Sequence, residues 1–288
     1  MANVFACTSL KIINLFFLLL LVDVSATTLV PLPNLTLETE TLKVFCMTLV
    51  SEDKILFSDA INKKIILFDK CNGKQFSEIL LRASPRIIYM VDNSQAVAST
   101  SDKYIQWINI PSNVLTTDSE IKVDVEIYGL TCRGDNFVVA HESPPGVAII
   151  GKDGKVIHKV DNVISGRKLF ENPRCITTPS DGSIYVTDRG TRQIFRFDAC
   201  LTVLQSFSGE LLSYPLGIIY INRDQLLVCN KDDDNIILIR PSSNSMTVLL
   251  DKQHGIECPT SLGFCKEQKK LYISSLGQLN SVLVFKLT

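Results

Sequence analysis

The stretch NPRCITTPSDGSIYVTDRGTRQIFRFDACLTVLQ, residues 172–205, contains the pattern that decides the fold of this chain. A Ser-Asp-Gly turn signal at residues 180–182 separates two short apolar runs. The second run, Ile-Tyr-Val at 184–186, ends in a polar Thr-Asp pair before Ile-Phe-Arg-Phe follows at 194–197. Short apolar runs separated by turn residues are typical of strands rather than helices. The stretch therefore predicts consecutive antiparallel strands.

The same pattern recurs along the whole chain. Close copies are KILFSDAINKKIILFDKCNGK at residues 54–74 and QLLVCNKDDDNIILIR at residues 225–240, and weaker copies fill the gaps between them. The polar residue that ends the second strand marks each copy, and successive markers are 40, 42, 47, 42 and 45 residues apart. The six markers are Asp59, Ser99, His141, Asp188, Asn230 and Ser275.

Repeats of this length predict an all-β, six-bladed β-propeller. Each repeat encodes one four-stranded antiparallel sheet, and radial stacking covers both of its apolar faces with neighbouring sheets. Six such blades account for residues 42–288. The last repeat contains only three strands, and apolar/polar alternation begins at residues 35–39. We therefore expect the segment 27–41 to supply the fourth strand of the last blade and to close the ring.

One repeat also resembles a known family. DGSIYVTDRGTRQIFRFD, residues 181–198, resembles an NHL repeat, which runs Asp-Gly, three apolar residues, Thr or Ala, Asp, a short link and an Ile-x-x-Phe strand. ILFSD at residues 55–59 is almost equally similar to the YWTD repeat of receptor propellers, so both subfamilies stay open. The resemblance implies the broader six-bladed group. That group includes regucalcin-like lactonases, paraoxonases, strictosidine-synthase-like proteins, the peptidyl-amidating lyase domain and binding modules without chemistry.

The N-terminus has the features of a secretory signal peptide. Lys11 precedes an apolar run at residues 12–22, and a Val-Ser-Ala sequence suits cleavage after Ala26. The run is shorter than the roughly 20 apolar residues of a membrane span, although an uncleaved anchor is an alternative. We therefore expect residues 1–26 to be removed, and residues 27–288 to be a secreted single propeller domain without a membrane span.

A glycosylation acceptor and the cysteines fit the secretory route. Asn34 begins an Asn-Leu-Thr acceptor sequence. Eight cysteines follow the signal peptide, so disulfides are expected, although their pairing stays open. Cys46/Cys71 and Cys175/Cys200 are equally spaced in two repeats, but strands of about five residues would separate the members of a pair by roughly 17 Å. Buried thiols or bridges between blades are therefore favoured over pairing within one blade.

Arginines on the predicted loop face indicate an anionic partner. In a propeller, the loops after the second strands and the starts of the first strands surround the channel on one face. Arg86 and Arg174 precede their first strands at similar positions, and Arg189 and Arg192 follow the second strand of the fourth repeat. Guanidinium groups bind carboxylates and phosphates through paired hydrogen bonds. The rim is thus predicted to bind a small anionic ligand or a protein, with solvated loop arginines as the alternative.

The markers suggest a second kind of site. Asp59, His141, Asp188 and Asn230 would place oxygen atoms and one imidazole at the same rim, a donor set that can hold calcium, and the resemblance to lactonases implies a channel metal. Asp and Asn at strand ends also accept hydrogen bonds from backbone amides and fix turns, which is the favoured interpretation. A calcium-dependent lactonase or esterase is therefore the alternative function.

Other features of the sequence argue against catalysis and against nucleic acid. Gly-x-Ser-x-Gly, His-Glu-x-x-His and Gly-rich phosphate motifs do not occur in the sequence. The amidating lyase would need three zinc-binding histidines, and His158 is expected on an outer strand, away from His141 and His254. The formal net charge of −1 indicates neither nucleic acid nor an anionic membrane surface as a partner. We expect a monomeric, secreted, non-enzymatic binding module without a cofactor.

Overall fold

The computed structural model describes residues 22–25, 28–38, 42, 44–160, 162–164, 167–276 and 280–288. Within these ranges the regular structure is β-strand, apart from short 3-10 turns such as Lys252–His254. The strands form six four-stranded antiparallel sheets and one small hairpin. The predicted all-β, six-bladed propeller is confirmed.

The blades follow one another along the chain. Blade 1 contains β2 (Val44–Leu49), β3 (Lys54–Asp59), β4 (Lys64–Asp69) and β5 (Gln75–Leu80), and blade 2 contains β6 (Pro85–Met90), β7 (Gln95–Thr100), β8 (Tyr104–Asn109) and β9 (Thr116–Lys122). Blade 3 contains β10 (Ile127–Arg133), β11 (Asn136–Glu142), β12 (Pro145–Ile150) and β13 (Val156–Lys159). The hairpin β14 (Val163–Ile164) and β15 (Arg167–Lys168) follows it and accounts for the longest repeat spacing.

The remaining blades have the same order of strands. Blade 4 contains β16 (Pro173–Thr177), β17 (Ile184–Asp188), β18 (Gln193–Phe197) and β19 (Val203–Ser208). Blade 5 contains β20 (Pro215–Asn222), β21 (Gln225–Asn230), β22 (Asn235–Arg240) and β23 (Ser245–Leu250). Blade 6 contains β24 (Pro259–Cys265), β25 (Lys270–Ser275), β26 (Ser281–Leu287) and, at its outer edge, β1 (Leu29–Thr36).

Packing between blades closes the ring. The first strand of each blade packs against the first strand of the next blade, and β24 packs against β2. Six hydrophobic clusters occupy the six interfaces between neighbouring blades. β3, β17 and β21 are almost entirely buried because both of their faces are covered, whereas the outer strands β9 and β13 are largely exposed. Burial is thus greatest in the second strands and least in the outer strands.

The N-terminal strand closes blade 6, as predicted. β1 pairs antiparallel with β26, from Leu29 opposite Leu287 to Thr36 opposite Ser281. The strand begins earlier than the alternation at residues 35–39 indicates, because Pro31 and Pro33 interrupt that pattern. Proline lacks an N–H and is tolerated only where a strand has a free edge, which is the position of β1 in the sheet.

Strand pairing corrects one marker. Pro85 pairs with Thr100 in blade 2, as Pro173 pairs with Asp188 in blade 4. Ser99 therefore lies one position before the equivalent site, and its fully buried hydroxyl donates to the carbonyl of Ile127 in blade 3. The prediction was wrong here because two polar residues end this strand and the sequence does not distinguish them.

The eight cysteines of the described residues carry free thiols. Cys46 is buried, whereas its equally spaced partner Cys71 is exposed. Cys175 faces the channel and Cys200 lies in an exposed turn, so neither equally spaced pair is joined. Burial raises the pKa of Cys46 to about 11, which keeps this thiol protonated. The expectation of a buried thiol is confirmed for Cys46, and disulfides stay a prediction.

Most of the predicted signal peptide lies outside the described residues. Residues 22–25 are described, and they contact blade 5. The Val24 side chain is buried there, its N–H donates to Gln225 Oε1 at 2.9 Å, and its carbonyl accepts from Gln225 Nε2 at 3.0 Å. Cleavage after Ala26 would remove this contact. Within the part of the chain that is described, no helix is long and apolar enough to cross a membrane.

Candidate functional site at the channel mouth

A cavity of about 280 Å³ opens at one end of the central channel, and every blade contributes to its wall. This volume is near the lower limit for small-molecule pockets, so the cavity fits a small ligand or part of a larger one. The residues that line it are Val44, Phe45, Arg86, Ile87, Tyr128, Arg174, Cys175, Arg189, Tyr214, Leu216, Lys231, Thr260 and Leu276.

A bulge in each first strand directs one side chain toward this cavity. In all six blades, the pairing of the first and second strands becomes irregular directly after its first residue pair. Bulges bend a strand locally and re-aim the side chains next to them. On each first strand, the residue directly after the member of this first pair therefore occupies an equivalent position. In every blade this residue lines the cavity. In blade order, these residues are Phe45, Arg86, Tyr128, Arg174, Leu216 and Thr260.

A second set of equivalent positions follows the second strands. In each blade, one residue of the second strand pairs with the first residue of the first strand. The next residue along the chain belongs to this second set. In blade order, they are Ala60, Ser101, Glu142, Arg189, Lys231 and Leu276. Arg189, Lys231 and Leu276 line the cavity. The two sets together bring cations from blades 2, 4 and 5 to one mouth.

Two arginines of blade 4 share one carboxylate from blade 3. Nη2 of Arg174 forms an ion pair with Glu142 Oε1, and Nη2 of Arg189 lies 3.1 Å from the same oxygen. Asn172 Oδ1 accepts from Arg174 Nε at 2.8 Å, and the Tyr214 hydroxyl accepts from Arg189 Nη1. Burial, with repulsion from Arg189, lowers the pKa of Arg174, but a guanidinium remains charged in proteins. This group therefore keeps one positive charge in excess.

Arg86 and an aromatic ring extend the cationic surface. Nη2 and Nε of Arg86 lie 2.6 and 3.1 Å from Glu126 Oε1. The Tyr128 ring stands between two guanidinium groups, with its centroid 5.0 Å from Arg86 Cζ and 4.1 Å from Arg174 Cζ. Rings within about 6 Å of a cation attract it through their quadrupole. Tyr128 therefore contacts both arginines.

Lys231 is the cation without a carboxylate partner at the mouth. Its Nζ lies 5.1 Å from the Tyr214 ring centroid, and among the described residues no carboxylate is within ion-pair distance of it. The acidic residues after it serve other contacts: Asp233 accepts from Asn230 Nδ2, and Asp234 pairs with Lys252. The mouth thus holds four cations against two carboxylates, an excess of two positive charges.

Three of the four arginines proposed from the sequence meet at this mouth. Arg86, Arg174 and Arg189 line the cavity, whereas Arg192 does not. Arg192 lies in the turn between β17 and β18 with a φ of 56°, and its side chain is exposed. Sequence reasoning missed Phe45, Tyr128, Tyr214, Lys231 and Glu142. Aligning the repeats on Arg86 and Arg174 would have found Tyr128 and Phe45 at the same position.

The four proposed metal ligands form hydrogen bonds with backbone groups of turns and loops in their own blades. Asp188 accepts hydrogen bonds from the backbone N–H groups of Glu171, Asn172, Gly190 and Thr191. Asp59 accepts from the N–H groups of Ile61 and Asn62, Asn230 Oδ1 accepts from those of Ser213 and Tyr214, and His141 Nδ1 lies 2.5 Å from the Pro144 carbonyl. No three His, Cys, Asp or Glu side chains of the described residues are placed to hold a metal ion. The oxygen atoms of Asp59, Asp188 and Asn230 thus accept hydrogen bonds from backbone amides of their own blades.

The cavity wall carries four cations, two tyrosines and one cysteine as its titratable side chains. Its lining residues include no His, Asp or Glu, and burial raises the pKa of Cys175 to about 12. A thiol with so high a pKa is a poor nucleophile. His158 is exposed on β13, and His254 is exposed in the 3-10 helix. Among the described residues the three histidines do not come together.

Comparison with known proteins supports the fold alone. No family model matches the chain, and no curated protein is similar to it in sequence. The chain is similar in structure to a streptogramin B lyase, with a TM-score of 0.65 and 14% identity over 92% of this chain and 100% of that one. It is similar to an inactive virginiamycin B lyase from Staphylococcus aureus with quinupristin, with a TM-score of 0.63, 16% identity and 88% of each chain covered. The Cps50 (Swd1) β-propeller domain of Myceliophteria thermophila has a TM-score of 0.63 and 14% identity over 88% of this chain and 85% of that chain.

Proposed function

We propose that this protein is a secreted, non-enzymatic binding module that holds an anionic group at the mouth of its channel. The observation that carries the proposal is the convergence of Arg86, Arg174, Arg189 and Lys231 on one small cavity. Their charge exceeds that of the nearby carboxylates, and the walls of the cavity reduce screening by water. The small volume favours a small anion over a broad protein surface.

Binding without turnover fits the lining better than catalysis does. The structural neighbours include enzymes, yet at the low identities involved they carry no activity over to this chain. The wall provides guanidinium, ammonium, phenol, hydroxyl, thiol and apolar groups. The two carboxylates beside it, Glu126 and Glu142, form ion pairs with arginines, which disfavours their acting as a general base. Turnover of esters or lactones in the presence of calcium would overturn this proposal and support the alternative, a calcium-dependent lactonase or esterase.

The first test measures the binding of inorganic phosphate at pH 8 and low ionic strength by calorimetry. We expect Arg189→Met to weaken binding about tenfold, because a hydrogen bond to a charged group contributes roughly 1.5 kcal/mol. Added salt should weaken phosphate binding to the unmodified protein. Arg192→Met is the matched control, since Arg192 is exposed only three residues further along the chain and does not line the cavity.

Two results would contradict the proposed site. Equal weakening in the Arg189 and Arg192 variants would indicate general attraction to surface charge rather than a site. Failure of phosphate to bind the unmodified protein at low ionic strength would remove the anion site altogether.

Secretion is supported by the apolar leader and by the position of the glycosylation acceptor. Asn34 is exposed on β1, at the outer edge of blade 6, where an oligosaccharyltransferase can reach it. In an oxidising compartment the exposed thiols Cys71 and Cys200 are the ones accessible for disulfide formation. We expect protein released from a eukaryotic cell line to begin at Thr27.

Asn34→Gln should abolish an endoglycosidase-sensitive mass shift, and peptide mapping without reductant should detect any disulfides. Retention of the chain in the cells, or an intact leader on released protein, would contradict the proposed processing.

A further inference from the structure

The channel mouth has two chemically different halves. Cations and aromatic faces occupy the arc from Arg86 in blade 2 through blades 3 and 4 to Lys231 in blade 5. The arc from blade 5 through blades 6 and 1 to blade 2 is mainly apolar: Thr260 in blade 6 is its polar member, and the other side chains are Leu216, Leu276, Val44, Phe45 and Ile87. A site for a simple inorganic anion needs the first arc only. The second arc requires an explanation of its own.

Phe45 is the central residue of the apolar arc. It holds the bulge position in blade 1, opposite the blade 4 position of Arg174 in a ring of six. Its side chain remains 43% exposed although the neighbouring Val44 is buried. Removing a phenylalanine ring from water is energetically favourable. An exposed ring aimed at a cavity is therefore suited to contact with an apolar ligand.

The cationic arc specifies the charge of the ligand. Arg86 is matched by Glu126, and Glu142 matches only one of the two blade 4 arginines. The unmatched charges are thus one guanidinium of that pair and the ammonium of Lys231, which share contact with Tyr214. Two adjacent positive charges are complementary to a dianionic head group such as a phosphate monoester.

We propose that the ligand is a small amphipathic dianion, an organic phosphate monoester with an aromatic or short apolar substituent. The phosphate lies against Arg174, Arg189 and Lys231, and the apolar substituent lies across the mouth on Phe45. This inference rests on the proposed anion site and adds the chemical class of its ligand. The cavity of about 280 Å³ accommodates a group the size of one aromatic ring with its phosphate.

The test compares three probes at pH 8: phenyl phosphate, phenyl sulfate and inorganic phosphate. At this pH a phosphate monoester is a dianion, whereas the sulfate ester is a monoanion with the same ring. We expect phenyl phosphate to bind about tenfold more tightly than either of the other probes, and to be recovered intact. Phe45→Ala should weaken phenyl phosphate binding about fivefold and leave inorganic phosphate binding unchanged. Lys231→Met should reduce the preference for the phosphate ester over the sulfate ester toward one.

Leu80→Ala is the control for removal of an exposed apolar side chain, because Leu80 is exposed on the outer strand of blade 1. It should leave all three affinities unchanged, and the thermal midpoint of Phe45→Ala should stay near that of the unmodified protein. If phenyl phosphate and inorganic phosphate bind equally, and both binding affinities depend on Arg189, the amphipathic ligand is overturned and the anion site stands. If none of the probes binds, both proposals fail.

Discussion

Leu35→Asp is expected to lower the free energy of unfolding by about 3–5 kcal/mol, because it places a charge without a partner in the seam that closes the ring. Leu35 lies on β1, opposite Val282 of β26. Its side chain is 6% exposed and packs in the cluster between blades 6 and 1 with Val44 and Phe57. A typical domain has a total stability of about 5–15 kcal/mol, so this loss approaches unfolding.

Val30→Asp is the matched control on the same strand. Val30 is 44% exposed and lies opposite Lys286, so a carboxylate there stays in water beside a cation. We expect a change within about 0.5 kcal/mol. Urea denaturation followed by circular dichroism measures both variants, and size-exclusion chromatography detects aggregation through an unpaired β26 edge. Similar losses in the two variants would contradict the interpretation that burial of Leu35 in this seam sets the size of the loss.

Gly129→Ala is expected to have the second large effect, a loss of about 3 kcal/mol together with weaker anion binding. A Cβ on Gly129 would lie 2.2 Å from the carbonyl oxygen of Arg174 and 2.9 Å from Cγ1 of Ile176, in the neighbouring blade. The first strands of blades 3 and 4 would have to separate, which moves Arg174 away from its partners. Gly217 holds the equivalent position in blade 5, where a Cβ would lie 2.6 Å from the Thr260 carbonyl oxygen.

Gly134→Ala provides the control for this close approach. Gly134 lies in the β10–β11 turn with a φ of +56°, and a Cβ there would meet no atom within 4 Å. Only the cost of the left-handed conformation remains, about 1 kcal/mol. Urea denaturation and phosphate calorimetry on both variants test the difference. The interpretation fails if Gly129→Ala costs no more than the control, or if it unfolds more easily but binds phosphate as tightly as the unmodified protein.

The fold was predictable because its signals are local. The alternation around Asp188 and Asp59 repeats at nearly constant spacing, and each copy specifies strands through residues that are neighbours in the chain. The missing fourth strand of the last repeat indicated closure by the N-terminus, and β1 supplies it. The start of that strand at Leu29 was not predicted, since its prolines conceal the alternation.

The candidate site was predictable only in part. Arg86, Arg174 and Arg189 were identified because arginines recur at similar places in the repeats. Arg192 was indistinguishable from Arg189 in the sequence, and only the turn geometry separates an exposed side chain from one that lines the cavity. The role of Glu142 depends on a contact between blades.

By itself, the sequence determined the strands, the number of blades, the closure of the ring and the presence of cations on the loop face. Tertiary structure decided which side chains share the mouth, which carboxylates neutralise which arginines, and that the opposite arc is mainly apolar. The physical reason is the range of the interactions. Strand formation depends on residues a few positions apart, whereas the mouth joins single positions roughly forty residues apart, each aimed by a bulge in its own blade.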